Sequence, residues 1–466
     1  MAWNDLYAQD DVPHTSFLYS RAFDFRKIPT GPRFSFSPSY KFHGIQEAFG
    51  RLRDIYWHRL EGHQRDSDWE EDSDSMEWTH FEVTIDRNSI IESSLNAFTS
   101  LVRSRKWHAL KVRWAMEDVD DLGGPFKEWV TLLTDQILNL ANNVVERHPE
   151  FNVEAQKHGL LRLSTSGAKG VALVQTLGYA VGLAFANDVC IKLPFPLFMF
   201  RALCSVKGAK DAQDFRWTLK DLEDVDQDLM FRLHDFMRDS IGPHAARDIA
   251  SDVGLSIPVT AQSENAIKEI IFQHRIEQTL LGDPTAFRHF IESFMTVVRG
   301  APEPTLPVTP LLSTLLPVEM RAMITGASIR PSDSALDLCS VEALVHHHGF
   351  EKDNEMDTAL KMEFWRIFRA YDGDQQQRLL AFITGSKQLS YKWQIKLRGQ
   401  ESSAIVHKQE DEHPFTLHLV DDPASRMNLP WSSTCTATLF IPRIPSSELK
   451  PRLDLSLQHY TGFGLL

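Results

Sequence analysis

LVQTLGYAVGLAFA, residues 173–186, is apolar on almost every side of a helical projection. A helix with no polar stripe belongs inside a core or inside a membrane. The apolar run from Val171 to Ala186 contains Gln175 and Thr176, and it is short of the ~20 residues needed to cross a bilayer. The core reading therefore wins, and no membrane span is expected. Gly178 and Gly182 lie four residues apart, on one helical face, where the missing side chains let a neighbouring element approach closely.

Working outward, the same helical periodicity recurs on both sides. PFKEWVTLLTDQILNLANNVV sets Phe126, Trp129, Val130, Leu133, Ile137 and Leu140 at three- and four-residue steps, with Pro125 in the first turn. Upstream, FEVTID alternates as a strand and KVRW, Lys111 to Trp114, reads as another. YKFHGIQEAFGRLRDIYWHRL carries Phe42, Ile45, Phe49, Leu52 and Tyr56 on one helical face, which needs a body to dock on. Residues 1–39 are broken by five Pro and Gly positions, and Asp66 to Glu77 is an acidic run with the character of a solvated linker.

The last ninety or so residues change character. PFTLHLV and LFIP are short strand signals, and Leu449, Leu453, Leu457 and Tyr460 share one helical face. The polar DGDQQQ stretch with Gly373 precedes this part, so a helix-rich bulk and a mixed tail are expected to meet there.

The composition excludes several functions. With 466 residues, 42% hydrophobic and 24% charged, the chain has the profile of a folded protein with two or three domains. A formal net charge of -14 opposes a nucleic-acid surface. Cys190, Cys204, Cys339 and Cys435 form no CxxC pair and no regular spacing, which suits a reducing compartment. Met1 to Tyr7 includes Asn4 and Asp5 and no apolar run, so no secretory leader is expected, and the location expected is cytoplasmic or nuclear.

Chemical motifs are sparse. The run His346 to His348 points its side chains in different directions on a helix or a strand, so three neighbours do not converge on one metal ion. Gly123-Gly124 belongs to neither phosphate-loop pattern, and no GxSxG elbow is present. No metal or cofactor is expected. Cys435 follows Pro430-Trp431-Ser432-Ser433-Thr434 and precedes a strand, which presents its sulfur at a loop–strand junction. Composition and spacing leave open whether it is a buried structural cysteine or a reactive thiol, because reactivity requires a depressed pKa or a partner base.

An ordered series of segments resembles the HECT family of ubiquitin-protein ligases. It comprises DLGGPFKEW (Asp121 to Trp129), LGYAVGLAF (Leu177 to Phe185), LPFPLFMF (Leu193 to Phe200) and LKDLEDVDQDL (Leu219 to Leu229). Phe364-Trp365, FITGS (Phe382 to Ser386), Leu429-Pro430 with Thr434-Cys435 and Leu439, and the terminal Gly462-Phe463-Gly464-Leu465 continue it. The resemblance spans roughly residues 80–466 and implies an α+β bilobal fold. It implies an N-terminal extension over 1–79, a mainly helical N-lobe over 80–370, a hinge at 371–376 around Gly373, and an α+β C-lobe over 377–466. Within the N-lobe, residues 207–268 are the expected docking subdomain for a ubiquitin-conjugating enzyme, short between Met237 and Val259.

The chemistry that the resemblance implies is acyl transfer. Cys435 accepts ubiquitin as a thioester from the conjugating enzyme and passes it to a substrate lysine, the substrate being held directly or through an adaptor. Thr434 supports the cysteine loop and Phe463 assists transfer to lysine. The chain departs from the family at Ser433, Thr436 and Ala437, and no general base for the lysine is named by any motif. Two other readings stay open: a HECT-shaped scaffold that binds ubiquitin or a partner without transfer, and a thiol hydrolase, which needs a histidine partner for Cys435.

Overall fold

A computed structural model describes residues 41–50, 81–107, 110–117, 123–147, 159–166, 169–205, 215–258, 260–299, 311–326, 338–351, 353–397, 413–422 and 428–459. Helix α1 covers 41–50 and buries Phe42, Ile45 and Phe49, the face expected from its periodicity; Leu52 and Tyr56 lie outside the described residues. The alternating strands β1 (Phe81–Ile85) and β2 (Leu110–Trp114) pair in parallel, with α2 (Ile90–Ser104) between them in sequence. α3 (Gly124–Ile137) follows, and its Trp129 Nε1 donates to Ser94 Oγ of α2 at 2.8 Å. The short pair β3 (Val145–Glu146) and β4 (Arg162–Leu163) is antiparallel.

α4 (Gly170–Ala186) contains the all-round apolar stretch 173–186. Leu177, Ala180, Val181, Leu183 and Ala184 are fully buried in it. Each fully buried side chain of Leu or Val size contributes about 1.5–3 kcal/mol relative to exposure. Its partner is the later helix Pro284–Arg299, and the glycine pair sets their approach. A Cβ on Gly178 would lie 2.4 Å from the Phe290 carbonyl oxygen, and one on Gly182 would lie 2.8 Å from Val297 Cβ.

The remaining helices of the first body are α5 (Leu197–Ser205), α6 (Gln227–Arg238), α7 (Pro243–Asp252), α8 (Glu264–Leu280), α9 (Pro284–Arg299) and α10 (Pro317–Thr325). Most of them share one core running from Phe42 to Ile324. A small separate core gathers Ala246, Ala250, Ala261, Ile267 and Ile271 from α7, α8 and their connection, with Phe236 and Ile241 packed on it. The separate packing expected of residues 207–268 therefore begins later in the chain. Trp217, Leu222, Leu229 and Leu233 turn inward to the main core, and the independent packing starts near Phe236 and runs to Ile271.

The second body holds α11 (Leu338–Leu344), β5 (His346–His348), α12 (Glu355–Ala370), α13 (Gly373–Thr384), α14 (Tyr391–Leu397), β6 (Thr416–Val420), β7 (Trp431–Ser433), β8 (Thr438–Pro442) and α15 (Ser446–His459). Its sheet has the order β5-β6-β8-β7, parallel except for the β7–β8 hairpin. Leu417, Leu419, Leu439 and Ile441 point from the sheet onto Phe364, Trp365 and Phe368 of α12 and Leu449 and Leu453 of α15. The result is the α+β bilobal arrangement expected, mainly helical with a small sheet in the C-terminal part.

The hinge expected at 371–376 does not separate these bodies. Asp372 caps α13 by accepting from Gln375 N at 2.8 Å, and the Gln375 side chain accepts in return from Asp372 N at 3.0 Å. That reciprocal box starts a helix. Tyr371 and both flanking helices belong to the second core, which begins at Val341, whereas the first core runs to Ile324 and, among the described residues, takes only Tyr391 from the later chain. The C-terminal body thus includes α11, β5 and α12, all within the range 80–370 that the resemblance implies for the N-lobe.

Candidate active site

The β7–β8 hairpin displays Cys435. Strand pairing holds Ser433 opposite Thr438, leaving Thr434, Cys435, Thr436 and Ala437 to turn the chain. Ala437 takes a left-handed conformation with φ of 48°, uncommon for a residue with a Cβ. The turn is fixed by backbone bonds: Ala437 N donates to Thr434 O at 3.4 Å, and Thr416 N of the neighbouring strand donates to Ala437 O at 2.9 Å. Trp431 stacks on Phe440 across the hairpin, with centroids 5.2 Å apart. Thr434 is buried, and Cys435 is half-buried with a free thiol.

The sulfur faces the first body. At the start of α3, a Cβ on Gly124 would lie 2.7 Å from Cys435 Sγ and 2.9 Å from Thr434 Oγ1. Real Cβ contacts are not that short, so the hairpin seats at a position where only glycine leaves room. Gly123, the N-cap, has φ of 104°, a second position suited to glycine. Lys127, one turn further along α3, sits near Cys435, Asp188, Cys190 and Lys392; burial holds its ammonium below the usual lysine range, and Lys392 adds to the effect.

The segment after α13 secures the same interface. Ser390 Oγ donates to the Asp188 carboxylate at 2.7 Å, Ser386 Oγ donates to Cys190 O at 3.2 Å, and Lys387 Nζ pairs with Asp135 at 3.0 Å. Tyr391 enters the first core, where its ring meets Phe42 of α1 edge-on. FITGS is thus part of a strap that holds the second body against the first.

The other expected site residues separate into distinct places. Gly373 opens α13 away from the sulfur, with nothing within 4 Å of its Cβ position. Phe463 lies outside the described residues. Cys190 and Cys204 are buried, and burial pushes the Cys190 thiol well up; the side chain of Cys339 lies outside the described residues. The histidine run alternates as expected: His346 and His348 are exposed on β5, while His347 turns inward, where Trp365 Nε1 donates to its Nε2 at 3.4 Å. Among the described residues, no group of three or more His, Cys, Asp or Glu is placed to hold a metal ion. A cavity of about 600 Å³ opens beside His346, His347 and His413, but neither Thr434 nor Cys435 lines it, so the hairpin and not the cavity is the candidate centre. No described helix is long and apolar enough to cross a membrane.

Gly124 and Lys127 are the residues that motif reading left without a role. DLGGPFKEW resembles a family segment, but the proximity of its Gly124 to Cys435 is a long-range fact that no local pattern carries.

A two-bodied, mainly helical domain with a thiol at a hairpin turn facing the opposite body matches a known class. The family model for the HECT-domain (ubiquitin-transferase) matches residues 131–466, more than half of the chain, and the chain belongs to that family. Among curated proteins it is similar to the probable E3 ubiquitin-protein ligase hulA of Aspergillus terreus, at 23% identity over 82% of this chain and 43% of that protein. It is similar to the E3 ubiquitin-protein ligase RSP5 of Emericella nidulans at the same identity and coverage. The chain spans less than half the length of these relatives.

Proposed function

We propose that the chain is a ubiquitin-protein transferase that carries ubiquitin on Cys435. The observation that carries this reading is the placement of a free, half-exposed thiol at the tip of the β7–β8 hairpin in a HECT-family chain, facing the opposite body. Cysteine fits the role because its thiolate is both a strong nucleophile and a good leaving group. The sulfur attacks the thioester between ubiquitin and a conjugating enzyme, forming a new thioester and releasing the enzyme's thiolate. A substrate lysine amine then attacks that carbonyl, an isopeptide bond forms and the Cys435 thiolate leaves.

Thr434, buried beside Gly124, keeps the loop in register, and Phe463 assists the second transfer. The small core from Phe236 to Ile271, with exposed Phe231 nearby on α6, is the proposed seat of the conjugating enzyme. Substrate proteins are recruited directly or through an adaptor, in the cytoplasm or nucleus.

The test incubates the chain with a panel of ubiquitin-charged conjugating enzymes. A ubiquitin adduct that is removed by reductant and absent from Cys435→Ala supports the reading. Ubiquitin binding with no such adduct across the panel would leave the scaffold reading in its place. Phe463→Ala is expected to retain the thioester and slow isopeptide formation.

A further inference from the structure

The cavity beside the histidine run is separate from the cysteine hairpin, and its lining has a chemistry of its own. Its volume of about 600 Å³ falls within the ~300–1,000 Å³ usual for small-molecule sites. Lys361 of α12, Lys396 of α14 and His346, His347 and His413 all line it. Both lysines are half-buried, and among the described residues neither forms an ion pair or a hydrogen bond. Lys396 lies instead over the Trp393 ring, 5.7 Å from its centroid. Two acids also line the cavity. Asp357 is engaged by Arg443 Nη2 and the Glu351 amide, both at 3.1 Å, and its other oxygen is sealed from solvent without a partner among the described residues. Glu351 is exposed. The Asp357–Arg443 pair cancels, so the two lysines outweigh Glu351, although the whole chain carries a net charge of -14. Like charges in a half-buried site repel through a poor dielectric. His347 registers that field: burial first, then Lys361, His346 and His413, hold its pKa down to about 4.

A neutral donor and an apolar wall complete the lining. Trp365 Nε1 donates to His347 Nε2 at 3.4 Å, so the neutral ring keeps its proton on Nδ1 and donates from there. Leu344, Val345 and Phe350 supply apolar surface, and His346 stacks on His413 with centroids 4.8 Å apart. We propose that this cavity binds a small molecule joining more than one phosphate group to a flat ring, the chemistry of a nucleoside diphosphate. Lys361, Lys396 and the His347 Nδ1–H take the phosphates. The two lysines stand on different helices, so they suit separated charges better than a single one. Phe350 and the stacked His346–His413 pair take the ring. The inference does not depend on the transferase reading, since neither Thr434 nor Cys435 lines the cavity.

The test titrates the whole chain with ADP, tripolyphosphate and adenosine by calorimetry and follows the histidine rings by NMR. The expected result is saturable binding of ADP at one site, with tripolyphosphate and adenosine each several-fold weaker. ADP should also raise the His347 titration midpoint above about 4, because a nearby anion favours the protonated ring. Lys361→Gln and Lys396→Gln should each weaken ADP about tenfold, the scale of one charge-assisted hydrogen bond. Lys169→Gln, at an exposed lysine of the first body, should leave ADP binding unchanged. No binding of ADP at ~1 mM, or binding undiminished in both cavity variants, overturns the proposal. ADP binding that leaves the His347 midpoint unmoved overturns it as well, since the ligand then sits elsewhere. Tripolyphosphate or adenosine bound as tightly as ADP overturns the pairing of phosphate with ring.

Discussion

Gly124 at the head of α3 lies so close to Cys435 that a single methyl group on it would sit 2.7 Å from the sulfur. The contact joins the two bodies at the point where the proposed chemistry takes place. Replacing Gly124 with alanine leaves α3 intact, since alanine is the better helix former, but it drives the hairpin off its seat. Gly124→Ala is therefore expected to raise the alkylation rate of Cys435 by iodoacetamide several-fold while the thermal unfolding of the first body stays unchanged. An unaltered alkylation rate would mean that the contact does not shield the thiol.

The glycine pair on α4 predicts a different kind of loss. A Cβ on Gly178 meets the backbone carbonyl of Phe290 at 2.4 Å, whereas one on Gly182 meets the Val297 side chain at 2.8 Å. Side chains give way more readily than backbone. Gly178→Ala should destabilise the first body by at least the ~1–3 kcal/mol typical of overpacking, and Gly182→Ala by less. Denaturant melts of the two variants check the order; equal losses would contradict it.

How much of this was legible beforehand follows from the range of each interaction. α4 declared itself because its apolar wheel and its glycines are local facts, and the strands at Leu417 and Leu439 did so through alternation. The hinge was misplaced because DGDQQQ looks like a break, although Asp372 and Gln375 form the reciprocal cap that begins α13. Asp and Gln three apart serve both meanings, and only the packing of Tyr371 and Leu379 into one core decides between them. The seating of Cys435 on Gly124 was not legible at all. It depends on how two bodies dock, and neither segment carries a pattern that names the other.

His347 gives the second body a pH dependence with a definite sign. Burial first, and then Lys361 and the neighbouring histidines, lower its pKa from 6.5 to about 4. Above pH 6.5 the imidazole is neutral in both folded and unfolded chains and imposes no penalty. As pH falls from 6.5 toward 4, the unfolded chain takes up a proton that the folded chain refuses, so stability declines, and the decline levels off below 4. Solvent reaches part of the ring, so the loss stays below the roughly 3.4 kcal/mol that a shift of this size carries in full. Thermal melts at descending pH should show the second body weakening across this window, and His347→Gln should flatten that part of the profile. An unchanged slope in the variant would assign the effect elsewhere.

The helix at 41–50 is the last element whose role can be measured directly. Phe42, Ile45, Ala48 and Phe49 are members of the first core. Lys41 Nζ pairs with Glu319 Oε2 at 2.9 Å, with both side chains almost wholly excluded from water. Glu319 also accepts from Leu316 N at 2.7 Å, so the pair ties α1 to the start of α10. Removing one partner of a buried pair typically costs about 3–5 kcal/mol, because the other charge is left behind in a poor solvent. Lys41→Met should cost an amount of that order in equilibrium unfolding, and Lys41→Met with Glu319→Gln should recover part of it by removing the stranded charge. Phe42 also touches Tyr391 of the second body, so loss of α1 should raise Cys435 alkylation as well. A truncation beginning at residue 51 that keeps both its stability and its slow alkylation would show that α1 is dispensable to the lobe interface.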